Sequence, residues 1–100
     1  MKTQYEAKTL TLSDIPELNA VNSTTFREAV RTALKEGITT LDIDLSQTRL
    51  VDSSGLGALI ALHKTMCARG GAVRILHPNP MVYQIMELTR LHRVFEIVKS

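Results

Sequence analysis

Strand-like and helix-like segments alternate along this chain, and that alternation limits the possible folds more than any other feature. Leu41, Ile43 and Leu45 interleave with Thr40, Asp42 and Asp44, the period of two expected of a strand with one buried face. Ahead of it, Phe26, Ala29, Val30, Ala33 and Leu34 recur at i, i+3, i+4, i+7 and i+8, one apolar face of a helix. Asn22-Ser23-Thr24-Thr25 opens that helix, Thr25 with Glu28 matches a capping box, and Gly37 is placed to stop it. After the strand, Leu56 to Cys67 is largely apolar and ends at Gly70-Gly71, and Ala72 to Leu76 reads as a short strand. Pro78 and Pro80 flank a turn. Met81 to Leu88 reads as a helix with Val82, Ile85, Met86 and Leu88 inward, with Met81 and Met86 as core filling. Val94, Phe95, Ile97 and Val98 read as a last strand. At the front, Tyr5 to Leu12 is the first strand, Ser13 to Pro16 a turn, and any second strand between Ile15 and Val21 must be short.

The resulting order, β, (β), α, β, α, β, α, β, predicts an α/β fold. Its sheet is mixed but mostly parallel, with four to five strands, an antiparallel edge strand, right-handed crossovers and about three helices. The polar side of strand 41–45 predicts that one sheet face is less covered than the other. With 100 residues and no repeat or linker, residues 1–100 form one domain with a small core.

Composition narrows the function. Apolar residues make up 44% of the chain and aromatics only 4%, so an aliphatic core holds a folded protein together. Twelve basic and ten acidic residues leave a net charge of +2, too balanced for an electrostatic nucleic-acid binder. No apolar run approaches the roughly 18 residues of a spanning helix, and no signal-peptide pattern opens the chain. No membrane insertion is expected. The lone Cys67 has no partner for a disulfide or a metal motif. These features together point to a cytoplasmic protein. His63, His77 and His92 stand at no ligand spacing, so neither metal nor cofactor is expected.

The stretch Val51-Asp52-Ser53-Ser54-Gly55-Leu56-Gly57 carries the functional signal. A strand leads to a sharp turn, and two adjacent serines beside an aspartate open a helix. The first helical turn has unpaired N–H groups and a partial positive charge. A hydroxyl held there can cap the helix, and a phosphate on it would be favoured by the same helix end. On the helix that follows, Leu56, Leu59, Met66 and Cys67 centre an apolar arc with Ile60 and Leu62 on its flanks, and His63 projects into that arc. The opposite face holds Gly57, Ala61, Lys64, Thr65 and Ala68, side chains small enough for another molecule's backbone to approach. Glycine in a helix costs about 1 kcal/mol relative to alanine, so Gly57 calls for a compensating partner or close packing on a strand.

Leu45-Ser46 followed by Asp52-Ser53-Ser54-Gly55-Leu56-Gly57 resembles the STAS domain of anti-sigma factor antagonists. Glu17-Leu18-Asn19, Gly70-Gly71 and Leu88-Thr89-Arg90-Leu91 with Val94-Phe95 are similar to further parts of that family, so the resemblance runs over almost the whole chain. It implies a βα superhelix and a non-enzymatic switch. The unphosphorylated antagonist would bind an anti-sigma factor that is often a serine kinase of GHKL type. Phosphorylation would fall on Ser53 rather than Ser54, and a PP2C-type phosphatase would reverse it. Asp52, Asp44, Ser54 and Gly55 would surround the modified hydroxyl, with Asp52 also placed to orient it. Asn19, Asn22, Ser23, Gly57, Ala61 and Lys64 would meet the partner. The chain departs from the family pattern at Pro16, Asn19 and Arg90, where Gly, Asp and Gly are usual. Ending at Ser100, it would have a short or absent last helix.

Other readings of the same residues remain. In one, a serine serves only as a helix cap in a structural site. Some STAS proteins resemble soluble subunits of ABC lipid transporters, where no phosphorylation is needed. A small α/β hydrolase built on Ser53 lacks both a Gly-x-Ser-x-Gly elbow and an evident base. Gly55-Leu56-Gly57 lacks the Lys-Ser/Thr ending of a phosphate loop. Arg90, His92 and Arg93 read as a solvated basic face.

Overall fold

The chain's two kinds of segment sort into a sheet and a helical layer. The computed structural model describes residues 1–99. Strands β1 (Lys2–Glu6), β2 (Thr9–Ser13), β4 (Thr40–Asp44), β6 (Ala72–Leu76) and β7 (Glu96–Val98) form a sheet in the order β1-β2-β4-β6-β7. The β1–β2 pairing is antiparallel and the other three are parallel. Two short strands, β3 (Glu17–Leu18) and β5 (Leu50–Val51), pair parallel in a separate ribbon. Helices α1 (Ser23–Ala33), α2 (Ser53–Ala68) and α3 (Pro80–Leu88) supply the crossovers, and a 3-10 turn spans Leu91–Arg93.

Alternation along the strands builds the core. Leu10 and Leu12 stand beside Leu41 and Ile43, which stand beside Val73 and Ile75. All six are buried, in one cluster with Val30 of α1, Leu59, Leu62 and Met66 of α2, and Val82 and Met86 of α3. The opposite sheet face carries Thr11, Asp42, Arg74 and Glu96 in one row across four strands. Asp42 is nonetheless buried, only 5% exposed. Arg74 covers it through two hydrogen bonds, Nε to Oδ1 at 2.8 Å and Nη2 to Oδ2 at 2.7 Å. Those bonds, then the carboxylate's charge, hold the guanidinium's pKa above its ordinary range.

Several local expectations need correction. The first strand is a hairpin, because Ala7 adopts φ 53 and turns the chain between β1 and β2. No capping box forms at Thr25 and Glu28: α1 starts earlier, at Ser23, and Glu28 approaches Arg31 at 3.6 Å. Met81 and Leu88 are not core residues, being 59% and 78% exposed. Helix α3 turns only Val82 and Met86 fully inward. The last strand begins at Glu96. Val94 lies outside it and is exposed, while Phe95 is buried before the strand begins. Cys67 is exposed rather than central to the apolar arc, and its Sγ lies 3.4 Å from His63 Nε2.

Arg90 takes the left-handed conformation, φ 61 and ψ 15, straight after α3. A side chain there costs about 1–2 kcal/mol that glycine avoids. Arg90→Gly is expected to stabilise the fold by about 0.5–1 kcal/mol, since part of the gain is lost to the freer unfolded chain. Urea denaturation measures it, and an unchanged or lower midpoint would refute it.

Candidate functional site

The site forms where β5 runs straight into α2. Val51 ends β5, Asp52 caps α2, and Ser53 is the first helical residue. The Asp52 side chain is the cap, not either serine: its Oδ1 accepts from Gly55 N at 2.9 Å. Its Oδ2 accepts from Ala20 N at 3.1 Å, in the loop between β3 and α1. The Asp52 backbone N–H donates to Leu18 O at 3.0 Å. Asp52 thus ties the start of α2 to the preceding ribbon and loop. Each of its carboxylate oxygens accepts from a backbone N–H group, so it braces the start of the helix against the loop.

The serines are left free of capping duty. Ser53 is exposed and Ser54 half-buried. The first N–H groups of a helix lack intrahelical acceptors. Asp52 takes that of Gly55, and those of Ser53 and Ser54 have no protein acceptor among the described residues. The exposed hydroxyl therefore stands at the positive end of a 16-residue helix with two donors beside it. Gly55 is buried against β3, and a Cβ there would overlap Leu18 O and approach Leu18 Cβ to 2.7 Å.

Asp44 is not drawn to the serines by any contact: its Oδ1 accepts from Ser46 N at 2.9 Å, within its own loop. Asn19 and Asn22 shape the neighbouring loop. Asn19 Oδ1 accepts from the N–H groups of Val21 and Asn22, and Asn22 Oδ1 accepts from Asn19 N. Asn22 Nδ2 donates to Glu17 O at 2.8 Å. Ser23 is buried, 9% exposed, so its side chain offers a partner little surface. Val21 is instead 91% exposed at the loop tip, and Leu50, just before the site, is 45% exposed. No periodicity or motif marks these two apolar prominences in the sequence. On α2, Gly57 and Lys64 are exposed and Ala61 is half-buried. A Cβ on Gly57 would meet nothing within 4 Å, so no strand packing explains the glycine.

Among the described residues no group of three or more His, Cys, Asp or Glu could hold a metal, and no helix is long and apolar enough to cross a membrane. His63 packs edge-on against Phe95, ring centroids 5.6 Å apart, and is not directed toward Ser53 by any contact. The exposed Ser53 thus stands at the start of α2, beside an aspartate held by backbone N–H groups. The STAS-domain family model matches residues 2–100, and the chain belongs to that family.

A Thermotoga maritima protein provisionally described as an anti-sigma factor antagonist is 30% identical over 82 residues, 81% of this chain and 73% of the relative. The anti-sigma-B factor antagonist of Listeria monocytogenes is 29% identical over 82 residues, 81% of this chain and 71% of its own. The crystal structure of an antagonist so described from T. maritima superposes with a TM-score of 0.92 at 26% identity, covering 99% of this chain and 86% of that one.

Proposed function

We propose that this chain is an anti-sigma factor antagonist whose binding is switched by phosphorylation of Ser53. With its hydroxyl free, Ser53 and the surrounding surface dock on an anti-sigma factor that is also a serine kinase of GHKL type. Phosphorylation ends the docking, and a PP2C-type phosphatase restores it. The observation that carries this reading is the exposed Ser53 at the first position of α2, with the helix already capped by Asp52. The hydroxyl can be modified without undoing the cap. A phosphate adds a charge of roughly −1.5 to −2, which the two open N–H groups favour. Its bulk and charge face outward, where a partner must sit.

The docking surface comprises the Ser53 turn, the Asn19–Val21 loop that Asp52 holds beside it, and the Gly57, Ala61 and Lys64 face of α2. Incubation with the cognate kinase and ATP is expected to add one phosphate, located at Ser53 by mass spectrometry. Ser53→Ala removes that shift and keeps kinase binding; Ser53→Asp weakens it about tenfold or more, roughly 1.4 kcal/mol. Continued labelling of Ser53→Ala, or recovery of an ABC ATPase with unmodified protein and no kinase, would overturn the proposal.

A further inference from the structure

A second site lies apart from the serine turn, at the carboxyl ends of the parallel strands. There an open crevice of about 820 Å³ is lined by Ser46, His77, Asn79, Tyr83, Glu87 and Lys99, among others. In open α/β sheets, ligands bind outside the carboxyl ends of the strands. The loop after β4 supplies Ser46, the loop after β6 supplies His77 and Asn79, and Lys99 follows β7 directly.

His77 is unusual on two independent counts. It adopts φ 53, which costs a side-chain-bearing residue about 1–2 kcal/mol. Its Nδ1 is buried with no hydrogen-bond partner among the described residues. Strained residues and orphaned polar atoms concentrate where a fold clamps a ligand. Asn79 does not relieve His77. Its Oδ1 caps α3 through Val82 N and its Nδ2 donates to Thr48 O, so it fixes the crevice wall. Lys99 is exposed and lies over the crevice wall, its Nζ 3.9 Å from the Tyr83 ring centroid. The ammonium, the imidazole and the N-terminal end of α3 thus all line the one crevice. Glu87 lies seven residues beyond Pro80, about 10 Å along the helix, with Gln84 between.

We propose that this crevice binds a small organic anion, a carboxylate or a phosphate monoester, with its anionic group at His77 and Lys99. Hydroxyl or amino donors on the rest of the ligand reach Gln84 and Glu87. The site is independent of Ser53 and goes beyond the phosphorylation switch.

Two-dimensional amide NMR of the whole chain, titrated with glycerol 3-phosphate and separately with glycerate, tests it. One or both probes are expected to shift the signals of His77, Gln84 and Lys99 saturably, and the probe that binds identifies the source of the anion. Lys99→Gln should raise Kd about tenfold, and Lys8→Gln, remote from the crevice, should leave it unchanged. His77→Gly should abolish saturation while remaining folded, because glycine adopts φ 53 without strain. No saturable shift with either probe at millimolar concentration would overturn the proposal. So would equal binding by wild type, Lys99→Gln and His77→Gly.

Discussion

Replacing Gly55 by alanine is expected to destabilise the protein by about 2–3 kcal/mol, despite alanine's better helix propensity. The new methyl would overlap Leu18 O and press on Leu18 Cβ at 2.7 Å. Leu18 is fully buried, pairs with Val51 across the β3–β5 ribbon, and accepts from the Asp52 backbone. No flexible side-chain end can swing away, so either β3 or the start of α2 must move. Each movement stretches the Asp52 bond to Ala20, which sets the distance between the serine turn and the Val21 loop. Gly55→Ala should therefore also weaken the proposed docking on the kinase at temperatures where it remains folded. Gly57→Ala, two residues on, is the counterpart: its methyl meets nothing within 4 Å, so it should stabilise by about 0.5–1 kcal/mol. If the outer face of α2 docks a partner closely, that more stable variant will bind more weakly. Thermal denaturation of both variants decides the matter. A destabilising Gly57→Ala or a neutral Gly55→Ala would contradict the packing described above.

This contrast shows where sequence reasoning stopped. Glycine is costly inside a helix, which singles out Gly57, yet the glycine held tightly within the chain is Gly55. Both sit two residues apart on the same helix. Only the position of β3 distinguishes them, and β3 is two residues long with no periodicity to detect. The large strands were legible because each has a buried face in alternation, and α1 because its apolar stripe repeats. Helix α3 was legible in type but not in orientation. Met81 and Leu88 are as apolar as Val82, Ile85 and Met86, and composition cannot say which of them meet the core. The hairpin at Ala7 carried no Gly, Asn or Asp to mark it. At the serine turn, the motif located the site, but the roles within it depended on the loop from Asn19 to Asn22. The approach of Ala20 N to Asp52 makes the aspartate a brace between two segments. Likewise Arg69 donates to the carbonyls of Leu34, Lys35 and Ile38, joining the ends of α1 and α2 across more than 30 residues.

The open face of the sheet yields the other large effect. Asp42 looked like one of several polar residues facing solvent, but its side chain is 7% exposed against 40% for Arg74. The two partners are therefore unequal. Arg74→Met leaves a carboxylate confined between β2 and β6 without its two charge-assisted hydrogen bonds. Removing one member of a fully buried pair costs about 3–5 kcal/mol; here water can enter where the arginine was, so about 2 kcal/mol is expected, or a melting temperature lower by about 10 °C. Asp42→Val should cost less than half as much. It suits the strand, and the freed guanidinium stays near solvent and Glu96, whose Oε2 lies 3.6 Å from Nη1. The double variant should be nearly as stable as wild type, because replacing both partners by apolar groups strands no charge. The cycle then gives a coupling of about 2–3 kcal/mol. Equal single effects that simply add would show that the pair is no more than a surface contact. Labelling at Ser53 gives the control. The charged row lies on the sheet face opposite the core, whereas Ser53 begins a helix of the covering layer. Arg74→Met should therefore be phosphorylated at the wild-type rate well below its melting temperature.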